Sequence, residues 1–189
     1  DDVAAVAGLA DSIAAETQDI VVTGNANYDQ LQTIEGFSNT GNTSFDSVTG
    51  TAAEIAGLGA DVAANVDTLN VDTSVEAATV EEANLIVAYN RTIASDFDVT
   101  DSADALANMA ASVSDAVANI VATTDATAEQ AVDIYDLAYS GTATYDITDD
   151  VASVYTLTLT ADSLAGANAG AIRVTDVADT TEVAAIEAM

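Results

Sequence analysis

Short β-branched stretches alternate with alanine-rich runs along the chain, and this alternation predicts short strands that each lead into a helix. "IVVTG" from Ile20, "DVTD" from Asp98, "YDITD" from Tyr145 and "IRVTD" from Ile172 read as strands of a few residues closed by Thr with Asp or Gly. Behind Asp101, the apolar residues Leu106, Met109, Val113 and Val117 keep three- and four-residue spacing, which predicts one helix with a single buried face. "YTLTLT" alternates strictly and predicts a further strand, with Thr156, Thr158 and Thr160 on one face.

Helix starts are marked as well. Asp101 with Asp104, Thr79 with Glu82 and Thr127 with Gln130 each fit an N-cap side chain with a partner three residues on. The aspartates at these strand-to-helix turns, Asp98, Asp101, Asp146, Asp149 and Asp176, are therefore read as caps and solvated faces before they are read as catalytic carboxylates.

The pattern repeats. "FDVTDSADAL" (Phe97–Leu106) returns as "YDITDDVASV" (Tyr145–Val154) at a shift of 48 residues, and the same shift carries Thr79 onto Thr127 and Ile86 onto Ile134. "FDSVTGTAAEI" at Phe45 and "NYDQLQTIEGF" at Asn27 extend the series at a period of 48 to 52, and the opening "DDVAAV" echoes "DDVASV" at Asp149, as if the chain began in mid-repeat. Approximate repeats are 1–44, 45–96, 97–144 and 145–189, within one repeat domain spanning 1–189. Side chains this small bury little area in a single helix packed on a single strand pair, so successive units must stack to make a core. The expected fold is α/β, a repetitive, solenoid-like stack of short strands and Ala-rich helices; a two-layer α+β domain is the alternative.

Composition narrows the chemistry. Thirty-two acidic residues stand against two basic ones, Arg91 and Arg173, for a net charge of -30, which disfavours nucleic acid and anionic membrane surfaces as partners. No His or Cys is present and both basic residues are Arg, so the common proton shuttle, thiol nucleophile and Schiff-base amine are all missing. No apolar run reaches the roughly 18 residues of a membrane span, so direct membrane insertion is not expected. Tyr89, Tyr135 and Tyr139 fall at apolar positions of helical segments and read as core rather than as a sugar platform. The expectation is that the chain is not an enzyme. Its opening on Asp1 without Met fits a processed product or a segment of a longer protein.

Two features point to ligands. Hard oxygen donors cluster at Asp67, Asn70 and Asp72 and again at Asp98, Asp101 and Asp104, which makes calcium the candidate cofactor, although no EF-hand spacing and no "GGxGxD" occurs. Asn42-Thr43-Ser44 and Asn90-Arg91-Thr92 are glycosylation triplets, so glycans on Asn42 or Asn90 are candidates.

"VTGTAAEIAGLGADVAANVDTL" (Val48–Leu69), "FDVTDSADAL" and the segment Tyr155–Ile186 together resemble the degenerate Ala/Thr/Asp-rich repeats of very large secreted surface proteins of cyanobacteria and other bacteria. The resemblance implies an extracellular or cell-surface structural role of adhesin, surface-layer or filament type, and it carries no catalytic residue. The expected partner is then a further copy of the chain, as a homo-oligomer or filament built by end-to-end stacking. A calcium-dependent binding or adhesion module is the alternative.

Overall fold

The computed structural model describes residues 1–10, 14–16, 18–159, 165, 166 and 168–188 as a mixed α/β fold with parallel sheets. Ten helices and nine strands occur among the described residues. The chain divides into two compact units, Asp1–Phe97 and Asp98–Met189.

The first unit runs α1 (Val3–Ala7), β1 (Ile20–Asn27), α2 (Tyr28–Glu35), β2 (Thr43–Gly50), α3 (Ala52–Ala56), α4 (Ala60–Ala63), β3 (Val66–Val71), α5 (Val80–Ala88) and β4 (Thr92–Ile93). The four strands lie in the sheet in chain order, and each pairs in parallel with the next. Parallel neighbours need a crossover, and the alanine-rich helices provide it. Strand partners are therefore 21 to 24 residues apart in sequence, as in the row Ala26, Val48, Leu69 and Ile93 and the row Val22, Phe45 and Val66. Apart from the half-buried Ile93, these residues are buried and face Leu31, Ile34, Ile55, Ala83 and Ile86 of the helices in one apolar core. A bulge between Val22 and Asn25 is made possible by Gly24, whose φ of 87° lies in the left-handed region that glycine enters without steric cost.

The second unit begins within β5 (Phe97–Asp101) and continues α6 (Ala103–Ala107), α7 (Ala111–Ser114), β6 (Val117–Ala122), α8 (Ala128–Tyr135), β7 (Ala143–Thr144), β8 (Ile147–Asp149), α9 (Val151–Leu159), β9 (Ile172–Val174) and α10 (Thr180–Ile186). Its strands form a three-stranded sheet, β5-β6-β7, and a pair, β8-β9. The β6–β7 and β8–β9 pairings are parallel, with partners 23 and 25 residues apart. Val99, Leu106, Val117, Ile120, Ile134, Ile147 and Val154 supply the core.

The sequence period now has a structural meaning. Phe97 and Tyr145 are both buried at the start of a strand segment, with β6 between them, so a shift of 48 residues spans two strand-helix crossovers. One crossover is the unit of construction.

Three expectations are corrected. The single helix predicted behind Asp101 is two short ones, α6 and α7, and Val117 opens β6; all four spaced residues are buried, but a turn at Asn108–Ala110 separates the helices. The strand predicted at "YTLTLT" is helical through Leu159, with Thr160 outside the described residues. Val151, Val154 and Leu157 face inward at three-residue spacing, while Thr156 Oγ1 donates to the Ala152 carbonyl and Thr158 Oγ1 to that of Tyr155, both at 2.7 Å. Back-bonding of this kind lets threonine sit in a helix despite its β preference. The cap assigned to Asp101 belongs to Ser102, whose Oγ accepts from Ala105 N, because Asp101 is still the last residue of β5.

Candidate functional site

Side-chain hydrogen bonding in this protein gathers where strands turn into helices. Thr79 with Glu82 and Thr127 with Gln130 form the expected reciprocal boxes, in which the threonine hydroxyl accepts from the third helical N–H and the partner side chain accepts from the cap's own N–H. Asn27 with Gln30, Thr51 with Glu54 and Asp179 with Glu182 repeat the device.

A second device acts between crossovers. In the second unit the first N–H of α6, α8 and α9 donates to a side chain at or just past the end of a later strand: Ala103 N to Thr124 Oγ1 at 3.0 Å, Ala128 N to Asp149 Oδ2 at 3.0 Å, and Val151 N to Asp176 Oδ1 at 2.7 Å. Asp149 also accepts from Asp150 N at 2.8 Å, so one carboxylate serves two helix starts. The recurrent Thr-Asp pairs of the sequence are thus clasps between neighbouring crossovers as well as local turn residues. Thr124 was not singled out in the sequence, although its Thr-Asp context carried the signal.

Polar ladders tie adjacent strands on the outer face. Asn25 Oδ1 accepts from Ser47 Oγ, Thr49 Oγ1 and Asn70 Nδ2 at 3.0 to 3.1 Å, linking β1, β2 and β3. In the second unit Asp98 Oδ1 accepts from Asn119 N and Nδ2, and Asn119 Oδ1 accepts from Thr142 N and Oγ1. Arg173 forms ion pairs with Asp125 at 3.0 Å and Asp146 at 3.5 Å. Arg91 donates to the Ala64 carbonyl at 2.6 Å.

The six residues nominated for calcium are distributed among these structural tasks. Asp67 is exposed on β3, Asn70 bonds to Asn25, and Asp72 Oδ1 accepts from Ser74 N at 3.0 Å and Ser74 Oγ at 2.5 Å. Asp98 belongs to the Asn119 ladder, Asp101 accepts from Ser102 N at 2.7 Å, and Asp104 accepts from Gln130 Nε2 at 3.3 Å. Among the described residues no group of three acidic side chains converges to hold a metal ion. Of the tyrosines, Tyr89 and Tyr135 are half-buried at the ends of α5 and α8, whereas Tyr139 lies in the turn beyond α8. Tyr89 donates to the Ala56 carbonyl and accepts from Gly59 N, pinning α5 to the α3–α4 turn.

Titration follows the same local chemistry. Hydrogen bonds from Ser74 hold the Asp72 carboxyl below its ordinary value, and those from Ser153 do so for Asp150. Burial pushes Glu35 up, and one of its oxygens is enclosed without a hydrogen-bond partner. Burial also raises the Tyr145 phenol, whose hydroxyl donates to the Ala165 carbonyl at 2.8 Å.

An open groove of about 510 Å³ runs between α8 and α9, lined by Thr127, Glu129, Val132, Asp149, Ser153 and Leu157. Thr127 and Asp149 already cap helix starts there, so their polar atoms are committed to the fold. No helix among the described residues is long and apolar enough to cross a membrane. The chain matches no protein-family model, no curated protein and no solved structure.

Proposed function

We propose that this is an extracellular structural protein, a subunit or segment of a cell-surface filament, surface layer or adhesin stalk. In this reading its strand-helix crossovers are the coils of a solenoid that stacks end to end. One observation supports it most: in the first unit each strand pairs in parallel with its neighbour in sequence, at a nearly constant separation of 21 to 24 residues. Pairing of this kind is how repeat proteins build a core from units that cannot bury one alone, and it extends by adding units. The clasps at Ala103, Ala128 and Val151 fit the same reading, since each makes one coil's helix start depend on the next coil. The acidic surface suits a protein kept apart from nucleic acid and lipid headgroups.

Immunogold electron microscopy of intact source cells, with antibody raised against the folded chain, tests the proposal. Label on filaments, stalks or a surface lattice is the expected result. Label confined to the cell interior rejects it.

A further inference from the structure

Of the two glycosylation triplets, the backbone separates one from the other. Asn90 is the only non-glycine residue with a positive φ, 53°, among the described residues, and it forms the exposed tip between α5 and β4. Asparagine tolerates this left-handed conformation, which turns the chain outward. Its backbone N–H closes the end of α5 on the Val87 carbonyl at 3.0 Å, while its side-chain amide makes no hydrogen bond among the described residues. Thr92, the hydroxyl residue of the triplet, is exposed. It opens β4, a two-residue strand at the end of the sheet that pairs with β3 alone.

Asn42 is held differently. Its N–H donates to Asp19 Oδ1 and its carbonyl accepts from Ile20 N, both at 2.9 Å. Thr43 is only 8% exposed, and Thr43 and Ser44 are paired with Ile20 and Val21 inside the four-stranded sheet. A transferase must wrap the triplet into its own cleft. At Asn42 that means opening a β1–β2 pairing over the core, and at Asn90 it means releasing two residues of an edge strand.

We infer that Asn90 is the acceptor for an asparagine-linked sugar on the folded protein, and that Asn42 is not. The side-chain amide nitrogen of Asn90 attacks the anomeric carbon of a sugar diphosphate donor, either a nucleotide sugar or a lipid-linked oligosaccharide. The new N–C bond forms as the C–O bond to the diphosphate breaks; the diphosphate leaves with the bonding pair and the amide proton passes to a base of the transferase. Oxidation states do not change. The site stands whether or not the coils form a longer stack.

Two arms test it on the whole chain. Folded protein is incubated with a soluble asparagine glycosyltransferase and UDP-glucose, and in parallel the chain is expressed in a secretory host that supplies a lipid-linked donor. Intact mass and peptide mapping then locate the sugar. Near-complete modification of Asn90 with Asn42 bare is expected in the first arm, and modification of Asn90 in the second. Asn90→Gln and Thr92→Ala should abolish that modification, while Asn42→Gln and Thr92→Ser retain it, with circular dichroism showing that every variant is folded. Sugar on Asn42 of the folded chain overturns the inference. So does a folded chain left unmodified under conditions that modify a denatured sample.

Discussion

Individual side chains in this protein are read best by asking which backbone N–H they satisfy. Thr79 is legible from sequence because its whole task lies within four residues. Replacing it by Ala removes the hydroxyl that accepts from Glu82 N and leaves a helix start open, so Thr79→Ala should cost about 1 kcal/mol, measured by urea unfolding. Glu35 shows the opposite relation between charge and fold. Burial raises its folded-state pKa above the ordinary 4.5, so the folded state holds its proton more tightly than the unfolded chain does. Ionising Glu35 therefore costs stability as pH rises through that range, and stability linked to its proton is complete only below 4.5. Glu35→Gln should raise the melting temperature near pH 7 and lose this advantage at acid pH, which a calorimetric pH series would check. Asp150 has the reverse sign. Its pKa is held below 3.8, so its contribution is present above that value and lost as pH falls through the lower folded-state value; an NMR titration of Asp150 should give a midpoint under 3.8. None of these three residues needed a partner distant in sequence to be understood. Asp149 did: its carboxylate reaches Ala128 N, 21 residues earlier, and no local pattern states that distance.

At the scale of elements, strands were legible wherever β-branched residues met a Thr-Asp or Thr-Gly ending, because the signal is local and the fold obeys it. "YTLTLT" misled because alternation is only a statement about one face. Once Asp150 accepts from Ser153 N and Val151, Val154 and Leu157 find an apolar surface, helical packing outweighs strand propensity. Glycines carry an element-level signal that composition hides. Gly141 and Gly170 lie two residues before a strand or strand pair, and their N–H groups donate to Ala118 O and Tyr145 O of the neighbouring crossover, each at 2.8 Å. A Cβ at Gly141 would collide with Asn119 Oδ1 and come within 2.7 Å of the Ala118 carbonyl. Gly141→Ala should therefore push the two crossovers apart and cost about 1–3 kcal/mol, seen as a lower urea midpoint. Gly24→Ala is strained for a different reason, its positive φ, with nothing within 4 Å to collide with.

For the molecule as a whole, charge is the dominant unspent term. A net charge of -30 in 189 residues means self-repulsion that folding intensifies. Sodium chloride shortens the screening length from about 10 Å at 0.1 M to about 3 Å at 1 M, so the melting temperature should climb across that range. Arg173→Gln, which deletes the pairs with Asp125 and Asp146, should cost at most about 1 kcal/mol at low salt and progressively less as salt is added. A melting temperature flat in salt would mean that the acidic side chains are too dispersed to matter.

The alternation of strand and helix, the capping boxes, the acidity and the repeat were fixed by sequence alone, since each depends on residues within one turn of one another or on simple counting. Tertiary structure decided the rest: that a 48-residue shift spans two crossovers, that "YTLTLT" joins a helix, that α6 and α7 are separate, and that the candidate calcium ligands point at backbone N–H groups instead of at one another. Those outcomes turn on which residues meet from 20 or more positions away. Contacts of that kind are selected by the packing of whole crossovers, against which the preference of a single short segment is a small free energy.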